Sequence, residues 1–153
     1  MPKNLVVIFN PSAGARRRAR LYSALDLLYG LGVQFQLLET SARGDAENFA
    51  RRVAEESGIV VAAGGDGTIA EVAAGLAGSS ATLGILPLGT ANVFALEMAV
   101  PLNAREAARA SHGPQHQRLS GYFEARCPEG PPVYPNGWRW VGFGCGPSLA
   151  TWP

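Results

Sequence analysis

Short apolar runs alternate with longer amphipathic stretches through the first 111 residues of the chain. Leu5-Val6-Val7-Ile8-Phe9 is a continuous apolar run ended by Asn10-Pro11, the pattern of a strand buried on both faces. Across residues 16–30, Leu21, Leu25 and Leu28 recur at helical spacing, and Gly30 and Gly32 close the pattern. Residues 33–39 predict a second strand. Residues 45–57 predict a second helix, with Ala46, Phe49, Ala50 and Val53 on one side and charges on the other. Residues 59–63 form a third strand, 68–77 a third helix, 83–86 a fourth strand, 91–98 a short helix and 103–111 a last helical piece. Strands alternating with helices across short loops predict an α/β fold: a doubly wound, mostly parallel sheet with helices on both faces.

Composition narrows this picture in three ways. At 153 residues and 47% hydrophobic content the chain has apolar material for one real core. A formal net charge of +1 gives no global attraction to nucleic acid, so no nucleic-acid partner is expected and any anion site must be local. Cys127 and Cys145 have no second Cys or His pair beside them, which argues against a disulfide framework or a zinc site and leaves a cytoplasmic location as the default. No stretch reaches the roughly 20 apolar residues that cross a bilayer. Met1-Pro2-Lys3-Asn4 lacks the apolar core of a signal peptide, so membrane contact is expected to be peripheral.

The unusual residues sit where strands give way to helices. Gly64-Gly65-Asp66-Gly67-Thr68 joins the third strand to the third helix and aims free backbone N–H groups and a positive helix end at one point, a natural place for phosphate. Gly64, Gly65 and Gly67 can adopt positive φ and admit a polyphosphate close to the backbone. Asp66 repels a bare phosphate, which suggests a role through Mg²⁺, while Thr68 can cap the helix or bond a phosphate oxygen. A tight turn with a capping Asp or Thr and no ligand reads the same five residues equally well. Three further loops end strands on the same side: Asn10-Pro11-Ser12-Ala13-Gly14, then Thr40, then Pro87-Leu88-Gly89-Thr90-Ala91-Asn92. Ligands in doubly wound sheets bind beyond the carboxyl ends of the strands, at the point where strand order reverses, so four loops converge on one crevice.

Asn10-Pro-Ser-Ala-Gly14, Gly64-Gly-Asp-Gly-Thr68 and Leu86-Pro-Leu-Gly-Thr-Ala-Asn92, in this order and spacing, resemble the diacylglycerol kinase catalytic domain of bacterial lipid kinases, diacylglycerol kinases and sphingosine kinases. The resemblance covers about residues 3 to 110. It implies a Rossmann-like fold of the type shared with NAD kinases, ATP as cofactor with Mg²⁺, and transfer of the γ-phosphoryl group to the hydroxyl of a diacylglycerol-like lipid at a membrane surface. Carried over residue by residue, it implies nucleotide contacts from Asn10, Pro11, Ser12, Ala13 and Gly14, with Thr40 nearby. Gly64, Gly65, Asp66, Gly67, Thr68, Ile69, Ala70 and Glu71 wrap the phosphates, and Thr90 with Asn92 closes the site. Asp66 is the expected metal-positioning and catalytic side chain.

The sequence departs from the family pattern in places. Many members carry Asp after the Asn of the fourth loop, where this chain has Val93, with Glu97 one helical turn later. Arg16, Arg17, Arg18 and Arg20 crowd the start of the first helix against its dipole, which invites an anionic partner or simple solvation. The family's second domain, a β-sandwich, is expected to be absent. That leaves a nucleotide-binding unit over 1–111 that is incomplete and inactive alone, with homodimerisation as one consequence. Residues 112–153, with His112 and His116, read as linker and irregular segment. From Leu119 onward come all three tryptophans, both cysteines and six of the eleven prolines, a composition that a GC-rich gene read out of frame near codon 118 would produce. An NAD kinase-like phosphotransferase, a non-catalytic nucleotide-binding regulatory module and a fragment that does not fold are the alternatives.

Overall fold

The computed structural model describes residues 4–112 and 123–124. In chain order the elements are β1 (Asn4–Phe9), a 3-10 turn (Pro11–Ala13), α1 (Ala15–Gly30), β2 (Phe35–Glu39), α2 (Asp45–Val53), β3 (Ser57–Gly64), α3 (Asp66–Leu76), β4 (Thr82–Pro87), α4 (Val93–Glu97), α5 (Ala104–His112) and β5 (Phe123–Glu124). The sheet order is β2-β1-β3-β4-β5. The first four strands run parallel, and β5 pairs antiparallel with Thr82 and Leu83 of β4. β1 and β3 lie inside the sheet, which is why they read as unbroken apolar runs, with Val7, Ile8, Phe9, Val60, Ala62 and Ala63 fully buried. β2 is an edge strand, and its Gln36 and Glu39 are exposed.

Helix placement follows from the handedness of parallel crossovers. The chain moves from β1 to β2 in one direction and from β2 through β3 to β4 in the other, so right-handed connections put α1 on one face and α2 and α3 on the opposite one. The packing agrees: α1 lies against α5, and α2 against α3. The second pair is close because Gly75 of α3 has no side chain. A Cβ there would meet the Glu47 carbonyl oxygen and stand 2.7 Å from the Ala50 Cβ. Among the described residues no helix is long and apolar enough to cross a membrane.

Two helices differ from the sequence expectation. The helix expected to reach Ser57 stops at Val53, because Ser57 turns inward, is buried and pairs with Asn4 as the first residue of β3. The helix expected over 91–98 is cut to α4 by two left-handed residues, Asn92 at φ 50° before it and Ala99 at φ 53° after it. The α4 end is a Schellman closure, with Ala99 N–H donating to the Leu96 carbonyl at 3.1 Å and Val100 N–H to that of Ala95 at 2.8 Å. His112, expected in a linker, is the last residue of α5. The expectations for His116, Cys127, Cys145 and the tryptophan-rich stretch lie outside the described residues.

Candidate functional site

The strand order reverses between β1 and β3, so the loops that follow these two strands flank the crevice. Backbone hydrogen bonds tie the loops to one another. Asn10 N–H donates to the Ala63 carbonyl at 3.3 Å, Thr40 N–H to that of Phe9 at 2.9 Å and Leu88 N–H to that of Gly64 at 2.9 Å. The four expected loops therefore lie side by side along the carboxyl edge.

In the β1–α1 turn, Asn10 Oδ1 accepts from Ser12 N–H at 2.9 Å and from the Ser12 hydroxyl at 2.6 Å, which caps the short 3-10 turn. Gly14 then takes φ 87°, ψ 169°, a region open essentially to glycine alone, and launches α1. No acidic residue occupies the first turn of α1. Thr40 is buried, and its hydroxyl is turned onto the Phe9 carbonyl at 3.4 Å.

The β3–α3 turn uses its glycines differently from the expectation. None of Gly64, Gly65 and Gly67 has positive φ; Gly64 is small because a buried neighbour presses on it, while nothing stands within 4 Å of a Cβ on Gly67. A Cβ on Gly64 would stand 2.6 Å from Thr68 Oγ1 and 2.7 Å from Thr68 Cβ. Gly65 lies against Gly89 of the next loop, where a Cβ on Gly89 would come within 2.6 Å of the Gly65 Cα. Gly65 is the N-cap of α3 and offers no side-chain cap, so the first N–H groups of the helix stay open until Ile69 N–H bonds the Gly65 carbonyl at 3.1 Å. Thr68 caps nothing here; it is buried against Gly64. Ile69 is buried in the core, and Ala70 is exposed on the next turn.

Asp66, first residue of α3, reaches sideways. Its Oδ1 accepts Phe94 N–H at 3.0 Å and so joins the β3–α3 turn to the first turn of α4. Glu71 lies one turn further along α3, and its Oε2 accepts Gly44 N–H at 3.1 Å at the start of α2. Thr90 Oγ1 accepts from Arg17 Nη2 at 3.0 Å. Asn92 donates its amide to the Gly89 carbonyl at 2.8 Å, while its Oδ1 is buried with no hydrogen-bond partner among the described residues.

The crowded arginines are mostly occupied. Arg18 makes a two-pronged ion pair with Glu39 at 3.0 and 3.2 Å, and this hydrogen bonding holds the guanidinium above its already high ordinary pKa. Arg20 donates to the Pro87 carbonyl at 3.0 Å and to the Leu102 carbonyl at 3.1 Å. Arg16 is exposed. The structure thus brings into one neighbourhood three residues that the sequence did not single out as site residues: Arg17, Gly89 and the Phe94 N–H. A signal existed for the first two, in the arginine cluster and the Pro-Leu-Gly loop. None existed for Phe94, whose contribution is a backbone group.

An anion fits this edge: uncapped N–H groups at α3, the left-handed Gly14 and a guanidinium converge there. For a metal, the described residues hold no cluster of three or more His, Cys, Asp or Glu. Asp66 with Oδ1 engaged fits a Mg²⁺ that arrives with phosphate oxygens as its other ligands better than a metal caged by protein.

The model of the diacylglycerol kinase catalytic domain matches residues 4–120. The chain belongs to the diacylglycerol kinase catalytic domain family. A Bacillus subtilis protein named "Diacylglycerol kinase" is 37% identical over 103 residues, which is 65% of this chain and 34% of the relative. A Xanthomonas campestris protein named "Probable lipid kinase YegS-like" is 44% identical over 89 residues, 54% of this chain and 29% of the relative. The chain thus spans about a third of the length of these curated relatives, the matched shares being 34% and 29%. Among solved structures, a diacylglycerol kinase of Bacillus anthracis superposes with a TM-score of 0.63 at 31% identity, over 72% of this chain and 39% of its own. The doubly wound sheet is accordingly an architecture shared with solved diacylglycerol kinase structures.

Proposed function

We propose that this kinase-family unit binds Mg-ATP in the crevice between the β1 and β3 ends and that its γ-phosphoryl group goes to a diacylglycerol-like hydroxyl. The lipid is met at the cytoplasmic face of a membrane, on which the protein acts peripherally. The observation that carries the reading is Asp66, fixed by the Phe94 N–H beside the uncapped start of α3. A carboxylate at that point opposes bare phosphate and favours phosphate bearing a divalent cation. The backbone of residues 10–14 and 64–68 and the hydroxyl of Thr90 line the polyphosphate. Mg²⁺, held by Asp66 and phosphate oxygens, supplies charge neutralisation on the transferring group. Thr40, Ile69 and Ala70 belong to the site through their backbone positions, since Thr40 and Ile69 are buried and Ala70 carries only a methyl group. Asn92 shapes the fourth loop through its left-handed backbone and its bond to Gly89. Transfer needs further groups: in-line attack requires the acceptor hydroxyl, a base and the metal assembled together, and the described residues hold no cluster of three or more His, Cys, Asp or Glu.

Calorimetric titration with Mg-ATP, on the parent and on a folded Asp66→Ala variant, tests this. Saturable binding by the parent, weakened roughly tenfold or more in the variant, is the expected result, from loss of a charged metal ligand. A chain that unfolds cooperatively yet takes up no Mg-ATP contradicts the reading. Labelled phosphate appearing on NAD in preference to diacylglycerol redirects the acceptor.

A further inference from the structure

Arg17 stands apart from its neighbours in the arginine cluster. Arg18 has an anionic partner in Glu39, and Arg20 is held by two backbone carbonyls. Arg17, half-buried, donates to a neutral hydroxyl, Thr90 Oγ1, at 3.0 Å. It also lies in the first turn of α1, where the helix dipole disfavours a cation and no acidic residue compensates.

Its position adds to the imbalance. In the sheet, β3 lies between β1 and β4, so a bond from the start of α1 to the loop after β4 spans the carboxyl end of β3, where α3 begins uncapped. Beside that point Asn92 is 5% exposed, and its Oδ1 lies at the Gly65–Gly89 seam without a partner among the described residues. Positive charge at two helix starts, a guanidinium and an unsatisfied buried acceptor make an edge that is incomplete without a ligand of high negative charge that also offers a hydrogen-bond donor.

We propose that Arg17 is a polyphosphate-binding and specificity residue: its guanidinium rests on Thr90 when the crevice is empty and transfers to the terminal phosphates of the bound nucleotide. The inference rests on the nucleotide reading above and sharpens it, because it says which part of the ligand Arg17 reads. The latch exchanges one hydrogen bond to a neutral hydroxyl for charge-assisted bonds to phosphate, and the excess charge at the start of α1 is neutralised in the same step. Discrimination therefore follows the number of phosphates and falls with added salt.

The test is a titration series on the parent, Arg17→Gln and Arg17→Lys, with Mg-ATP, Mg-ADP, adenosine and inorganic tripolyphosphate as probes and melting temperature as the folding control. Arg17→Gln is expected to weaken Mg-ATP and tripolyphosphate by roughly 10- to 100-fold, the range of hydrogen bonds to charged groups, and adenosine by less than about twofold. Arg17→Lys, which keeps the charge and loses the planar fork, recovers part of the loss. An Mg-ATP affinity within about twofold of the parent in Arg17→Gln overturns the proposal. So does an equal loss for adenosine and Mg-ATP, which marks Arg17 as a structural tie between loops. Tripolyphosphate binding that depends on Arg17, in a chain indifferent to adenosine and Mg-ATP, upholds the anion site and sinks the nucleotide reading instead.

Discussion

The two turns beside the strand-order reversal both carry glycine, and they use it for opposite reasons. After β1, Gly14 supplies a backbone conformation: φ 87°, ψ 169°, with nothing within 4 Å of where its Cβ would stand. After β3, Gly64 supplies space, with ordinary φ and Thr68 Oγ1 2.6 Å from the missing Cβ. The charges differ as well. The first turn leads into arginines and the second into Asp66. A crevice with a cationic wall and an anionic one suits a ligand that is itself mixed, polyphosphate with a divalent cation.

Alanine at each glycine separates the two uses. Gly64→Ala is expected to cost about 3 kcal/mol through overpacking against buried Thr68, seen as a lower denaturant midpoint with unchanged m. Thr68→Ala in that background recovers part of the loss. Gly14→Ala is expected to cost about 2 kcal/mol from torsional strain alone, and trimming its neighbours recovers nothing, because none touches the new methyl. If a neighbour substitution rescues Gly14→Ala as well, the contrast fails.

Smaller effects come from the polar groups that hold each turn. Asn10→Ala removes the cap on Ser12 and is expected to cost about 1 kcal/mol in the same denaturation experiment. The smallest effect concerns Asp45, the acidic residue of the β2–α2 turn. Its Oδ2 accepts from Ser41 N–H and Ala42 N–H, each at 2.8 Å, and from the Ser41 hydroxyl at 3.0 Å, and the backbone bonds chiefly hold its pKa below the ordinary 3.8. A carboxyl depressed in the folded state stabilises above the unfolded value and loses that contribution as pH falls through the folded one. Stability is therefore expected to decline below about pH 4, near the unfolded carboxyl value, and Asp45→Asn to flatten that part of the profile, read by melts across the acid range. Asp45 spends its oxygen on its own turn, whereas Asp66 spends Oδ1 on the neighbouring α4.

Much of this was legible in the sequence, because the signals were local. Continuous apolar runs marked β1 and β3 as interior strands, and the order of motifs placed four loops on one edge. What escaped depended on contacts distant along the chain. The reason for Gly64 lies in a buried side chain, that for Gly89 in Gly65, and the pairing of Arg17 with Thr90 spans 73 positions. Ser57 read as an extension of the helical pattern of residues 45–53; its pairing with Asn4 decides otherwise. The left-handed Ala99 left no trace in composition, since alanine is a strong helix former and the Schellman closure imposes the turn.

The central claim, that the two unlike turns form one nucleotide crevice, is tested most directly by following backbone amide resonances of the chain during titration with Mg-ATP. The account predicts saturable shifts with a single midpoint at Gly14, Asp66, Gly67 and Thr68 together, while amides on the opposite strand ends, such as Leu5 and Thr82, stay fixed. Shifts confined to one of the two turns, or shifts elsewhere on the surface with these amides unmoved, would contradict it.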